Sequence, residues 1–67
     1  MTVRLNGEER EVAADSSAAQ AVDAWRRDPA APYAVSVNGE HVPRPRLAAR
    51  ALRPGDEIEV WTLRQGG

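Results

Sequence analysis

Gly66 and Gly67 are the last two positions of this 67-residue sequence, directly after a strand-like run. Neither has a Cβ, so the backbone there can thread where other residues clash. A carboxylate at the tip of such an arm can enter a narrow active site on another protein. The Gly67 carboxyl is therefore the first candidate for chemistry, with Gln65 and Gly66 as the arm that carries it. A frayed end is the competing reading, because terminal residues often lack fixed structure. The rest of the chain offers little other chemistry. There is no cysteine, hence no thiol nucleophile and no soft metal ligand. The single histidine, His41, cannot build a zinc site alone. No acid or nucleophile motif accompanies it, and it reads as exposed turn decoration. Arg44 and Arg46 form a small basic point near Pro43 that reads as solvated surface.

Bulk properties narrow the class further. A chain of 67 residues allows one domain with a marginal core. The net charge of −1 gives no strong field toward nucleic acid or a membrane surface. No apolar run approaches the roughly 20 residues that span a bilayer. The first residues, Met1-Thr2-Val3-Arg4-Leu5, lack the apolar stretch of a signal peptide. The expectation is a soluble, cytoplasmic protein. All nine basic residues are arginine. Without lysine no side-chain amine can be acylated, but biased composition, heavy in alanine and arginine, is the favoured account.

The elements that must position the tail follow from periodicity. Val3 and Leu5 alternate with Thr2 and Arg4, which predicts a strand buried on one face. Asn6-Gly7 signals a hairpin, because a type I′ turn needs positive φ at both central residues. Glu8 to Val12 return as a polar edge strand. Ser17 and Gln20 fit a capping box that opens a helix. Ala18, Ala21, Val22 and Trp25 share one helical face, and Trp25 is the bulkiest filler there. Arg26 and Arg27 suit the negative end of the helix dipole, and Pro29 biases Asp28 out of the helical region.

Ala30 to Pro32 read as loop. Tyr33, Val35 and Val37 predict a third strand. Asn38-Gly39 offers another turn, and Val42 starts a short fourth strand kept brief by Pro43 and Pro45. Leu47 to Leu52 read as a short helical turn. Pro54-Gly55-Asp56 signals the turn into a last strand, Glu57 to Leu63. This order predicts an α+β layer pair with parallel first and last strands.

Particular residues add a resemblance that covers nearly the whole chain. They are Val37-Asn38-Gly39-Glu40 with Val42-Pro43-Arg44, then Leu52-Arg53-Pro54-Gly55-Asp56-Glu57-Ile58-Glu59-Val60, then Gln65-Gly66-Gly67. Together they resemble the ThiS-type sulfur carriers of the ThiS/MoaD ubiquitin-like β-grasp family. The molybdopterin-synthase small subunit is a close relative, but such chains look longer and richer in phenylalanine, and this chain has none. The resemblance implies a mixed four- to five-stranded sheet with one main helix on one face. It divides the chain into a β-grasp domain, 1–63, and a flexible tail, 64–67.

It also implies a chemistry. An E1-like adenylating enzyme, ThiF/MoeB-like, would use ATP and Mg to adenylate the Gly67 carboxylate. A sulfur donor would then displace AMP and leave a thiocarboxylate. Thiazole synthase in thiamine biosynthesis would be the first choice of acceptor. Molybdopterin, cysteine or a secondary-metabolite pathway would use the same tail, and so would a ubiquitin-like protein modifier. The chain itself would bind no cofactor or metal and would act as a cosubstrate, not an enzyme.

A carrier also needs an address. If Ile58 and Val60 face the helix, alternation turns Glu59, Trp61 and Leu63 to the open side of the sheet. Arg4, Ala34 and Ser36 join them from neighbouring strands. Exposed apolar patches of this kind mark binding sites. The partner-binding residues expected here are Trp61, Leu63, Arg4 and Glu59, with Arg4 paired to Glu59 or to a partner carboxylate.

Overall fold

Residues 1–26 and 32–62 are described by a computed structural model. Its elements run β1 (Thr2–Leu5), β2 (Glu8–Glu11), α1 (Ala18–Trp25), β3 (Tyr33–Val37), β4 (Glu40–Val42), α2 (Arg44–Leu47) and β5 (Glu57–Thr62). The five strands form one sheet in the order β2-β1-β5-β3-β4. The last strand is therefore the central one. It runs parallel to β1, with Leu5 beside Ile58, and antiparallel to β3, with Val35 beside Val60.

Alternation decides which side chains make the core. Val3 and Leu5 of β1, Val35 and Val37 of β3, and Ile58 and Val60 of β5 are all buried. They meet Ala18, Ala21 and Val22 of α1, with Leu47 and Leu52 closing the end of the layer. Fully burying a side chain such as Ile58 contributes about 1.5–3 kcal/mol, so a core this small depends on each of them. Edge strand β2 is exposed throughout and carries three glutamates and an arginine, a charge pattern that discourages pairing with another chain.

The capping box forms as expected. The Ser17 hydroxyl accepts from the Gln20 N–H at 3.2 Å, and the Gln20 side chain accepts from the Ser17 N–H at 2.8 Å. The helix stops at Trp25, with Arg26 already extended. Arg27, the Asp28-Pro29 stop and most of the loop expected at 30–32 lie outside the described residues.

Four expectations need correction. Trp25 is not the principal filler. It lies partly buried at the core margin, and the fully buried volume comes from Leu5, Ile58, Val3, Val22, Val35 and Val37. Strand β2 ends at Glu11, one residue short of Val12. Strand β4 begins at Glu40, not Val42, which places His41 in a strand opposite Ser36 and not in a turn. The short helix spans Arg44–Leu47, not 47–52. Pro43 and Pro45 account for its position. A proline in the first helical turn removes an N–H that would be unpaired anyway, and its ring presets φ.

Candidate functional site

Two Asn-Gly turns hold the central strand that leads toward the tail. In both turns the asparagine and the glycine have positive φ: 51° and 84° at Asn6-Gly7, 53° and 84° at Asn38-Gly39. Asparagine tolerates this region because its short polar side chain can bond locally. Here each asparagine instead bonds the backbone of β5. Asn6 Oδ1 accepts from the Val60 N–H at 2.8 Å, and its backbone N–H donates to the Ile58 carbonyl at 2.8 Å. Asn38 Oδ1 accepts from the Glu57 N–H at 2.9 Å, and its backbone N–H donates to the Glu57 carbonyl at 2.7 Å.

Asp56 completes the second clamp. Its carboxylate accepts from Asn38 Nδ2 at 3.0 Å and from the Arg53 N–H at 2.8 Å. Burial works against the charged form. The Asn38 amide, the Arg53 N–H and the nearby charges of Arg50 and Arg53 outweigh it, and the carboxyl is held below its ordinary range. Gly55, at φ 85°, donates its N–H to the Thr2 carbonyl at 2.8 Å and ties this turn to β1. Alternation and turn signals locate the two turns and the strand. They do not reveal these cross-links, whose one trace in the sequence is asparagine, not glycine, at the first position of each turn.

The open face of the sheet gathers three of the expected docking residues. Trp61 is 49% exposed, the one exposed large hydrophobic among the described residues. It lies beside Ala34 of β3, which leaves its ring uncovered from that side. Glu59 sits beside Ser36, whose hydroxyl donates to it at a long 3.5 Å. Ser36 itself is buried. Arg4 corrects the expected pairing: its guanidinium lies 3.8 Å from Glu57, not against Glu59. The parallel register explains this, since Arg4 stands directly beside Glu57. At the outer edge, Glu11 accepts from the Thr2 hydroxyl at 2.8 Å and lies 3.1 Å from the N-terminal ammonium. Leu63, Gln65, Gly66 and Gly67 lie outside the described residues.

The opposite side of the strand end holds a cluster that the sequence did not suggest. Tyr33 pairs with Thr62, the last residue of β5. The Arg26 guanidinium lies over its ring at 4.8 Å from the centroid and that of Arg44 at 4.6 Å. Arg44 is thus not simply solvated: it stacks on tyrosine. Among the described residues no cluster of histidine and carboxylate side chains has the makings of a metal site. No described helix is long and apolar enough to cross a membrane.

A hairpin, a covering helix and a central last strand parallel to the first define the ubiquitin-like β-grasp class. Within that class, a model of the ThiS family matches residues 3–67, and the chain belongs to the ThiS family. Solved structures agree. The crystal structure of a thiamine biosynthesis protein (ThiS) from Geobacter metallireducens matches with a TM-score of 0.81 at 26% identity, covering all of both chains. A solution NMR structure of a thiamine biosynthesis protein from the same organism matches at 0.77 and 26% identity, covering all of this chain and 88% of that one. Among curated proteins, none matches the sequence.

Proposed function

We propose that this chain is a sulfur carrier that works through the carboxylate of Gly67. The observation that carries this reading is the extent of the family match, which runs to residue 67 and so takes in the diglycine. The fold supports it. The central strand, tied down at Asn6 and Asn38, runs to Thr62, five residues before Gly67. In this reading residues 1–63 are the domain and 64–67 the arm.

The chemistry divides cleanly between carrier and partners. A carboxylate is a poor electrophile. In the first step an oxygen of the Gly67 carboxylate attacks the α-phosphorus of ATP and pyrophosphate leaves. The product is a mixed anhydride with a good leaving group. Sulfur at the sulfide level, as hydrosulfide, then attacks the carbonyl carbon, AMP departs with the electron pair of the C–O bond, the sulfur loses its proton, and a thiocarboxylate remains. An E1-like enzyme of the ThiF kind supplies the ATP and Mg site. The carrier supplies the carboxylate and the slim glycine arm that brings it to the phosphate. The sulfur passes to thiazole synthase, a choice favoured by the thiamine biosynthesis proteins to which the chain is similar. The carrier is consumed and regenerated as a cosubstrate. Trp61, with Arg4, Glu59 and Leu63, forms the docking face for these partners.

The test is intact-mass measurement after incubation with an E1-like enzyme, ATP, Mg and a sulfur donor. Replacement of one oxygen by sulfur at Gly67 is the expected result. A larger covalent adduct through a target's lysine would make the chain a modifier instead. An unchanged mass with every such enzyme would sink the carrier reading.

A further inference from the structure

The Arg26–Tyr33–Arg44 cluster carries an inference that rests on the carrier reading and extends it. Three elements converge on one ring. Tyr33 opens β3, Arg26 caps the end of α1, and Arg44 begins α2. Both guanidinium groups lie within cation–π range of the tyrosine. The ring attracts each charge, while their mutual repulsion makes an added anion favourable there. The only carboxylate paired with either arginine among the described residues is Asp23, 3.6 Å from Arg26 and itself well exposed. Arg26 Nη1 is buried with no hydrogen-bond partner among the described residues. Burial closes that atom to an outside partner, which leaves Arg44, exposed and over the same ring, as the accessible donor.

Placement gives the cluster its meaning. Tyr33 stands beside Thr62, where β5 ends. Tyr33 belongs to the helix side of the sheet, with Val35 and Val37, while Trp61 belongs to the open side. A partner that covers the end of β5 therefore meets an apolar contact on one face and a cationic one on the other. We propose that Arg44 receives a carboxylate side chain of the enzyme that activates the tail, with the charge of Arg26 reinforcing it from the same ring. A carboxylate matches the planar fork of a guanidinium and can take two parallel N–H bonds from it. Tyr33 sets the spacing by pinning both arginines. The contact would steer the tail into register as well as hold it, since charge complementarity acts on encounter rate and orientation.

The experiment uses the E1-like enzyme that adenylates the wild-type chain, with binding measured across a series of salt concentrations. Arg44→Glu should weaken binding about tenfold or more, with a shallower salt dependence than wild type. Arg44→Lys keeps the charge but loses the fork, and should fall between the two. Arg44→Ala removes stack and charge together, and its thermal melting measures what the side chain contributes to folding. Reversing the facing aspartate or glutamate of the enzyme to arginine should restore binding to Arg44→Glu. Unchanged affinity of Arg44→Glu, or a loss that follows melting temperature with no change in salt dependence, overturns the proposal. So does saturable binding of inorganic phosphate or ATP to the isolated chain that Arg44→Glu abolishes, since that marks a phosphate site. Wild type activated while Arg44→Glu binds normally removes this inference alone. Failure of wild type to be activated by any E1-like enzyme removes the carrier reading and this inference together.

Discussion

The side-chain amide of Asn38 donates to the buried carboxylate of Asp56 at 3.0 Å, and through that contact the second Asn-Gly turn grips the start of the central strand. The carboxylate also accepts the Arg53 N–H, so one ionised group fixes two segments. This arrangement makes a specific acid sensitivity. The folded carboxyl is held below its ordinary value despite burial, by the Asn38 amide, the Arg53 N–H and the two nearby arginine charges. A group depressed in the folded state adds stability above its unfolded value, about 3.9 for an aspartate. That contribution is lost as pH falls through the lower folded value. Asp56→Asn should therefore flatten the acid limb of a stability–pH curve and lower the plateau above it. Asp56→Ala should cost about 1–3 kcal/mol near neutral pH by leaving two donors unpaired. Urea unfolding at stepped pH measures both.

Asn6 allows backbone strain and hydrogen bonding to be separated. Its φ of 51° is one that glycine adopts freely and alanine does not. Its side chain also accepts the Val60 N–H. Asn6→Gly should lose the side-chain contacts to the Val60 N–H and, at a long 3.4 Å, its carbonyl, at about 1 kcal/mol, without added strain. Asn6→Ala should lose the bond and add the left-handed strain, about 1 kcal/mol or more beyond that. Equal urea midpoints for the two variants would show that conformation contributes nothing there.

The contrast between these clamps and the strands shows what a sequence makes legible. Val3 and Leu5, or Ile58 and Val60, announce a buried face because side chains alternate with period two. Asn-Gly announces its turn because few other pairs accept two positive φ values. Ser17 and Gln20 announce the helix start because the capping box is local. Contacts across more than 50 positions, such as Asn6 with Val60, leave no local trace. Arg44 shows the same limit. Its stack on Tyr33 needs the meeting of β3 and α2, and charge alone suggested only solvated surface. Register decided Arg4 as well. Alternation put it on the open face correctly, but only the parallel offset tells Glu57 from Glu59.

Adding one residue after Gly67 tests whether the carboxylate must sit where the family pattern puts it. The extension moves the reacting group by one residue and introduces a side chain into the path that glycine leaves clear. Alanine as the added residue should abolish adenylation, read as ATP–pyrophosphate exchange by the E1-like enzyme. Folding stability should not change, because the addition lies beyond the last strand. Full exchange activity with the extension would end the carrier reading. Gly66→Val, which keeps the carboxylate in place but widens the arm, should reduce exchange without abolishing partner binding.

Trp61 carries the last prediction. Half of its surface is exposed, and its neighbour across the strand pair is only Ala34. Truncating a half-buried tryptophan gives up on the order of 100 Å² of buried surface, so the cost on folding is about 2 kcal/mol. Tryptophan is also among the residue types that dominate binding energy when a partner covers them. Trp61→Ala should also weaken binding of the folded chain to the activating enzyme by about 2 kcal/mol or more, measured well below the variant's own melting temperature. The comparison matters more than either number. The Arg4–Glu57 pair on the same face is exposed on both sides and worth under about 1 kcal/mol, so Arg4→Ala should leave stability nearly unchanged. If binding is lost with Trp61→Ala and kept with Arg4→Ala, the open face addresses its partner through the indole. If the folded Trp61→Ala chain binds as wild type does, the ring serves its own sheet and the docking face lies elsewhere.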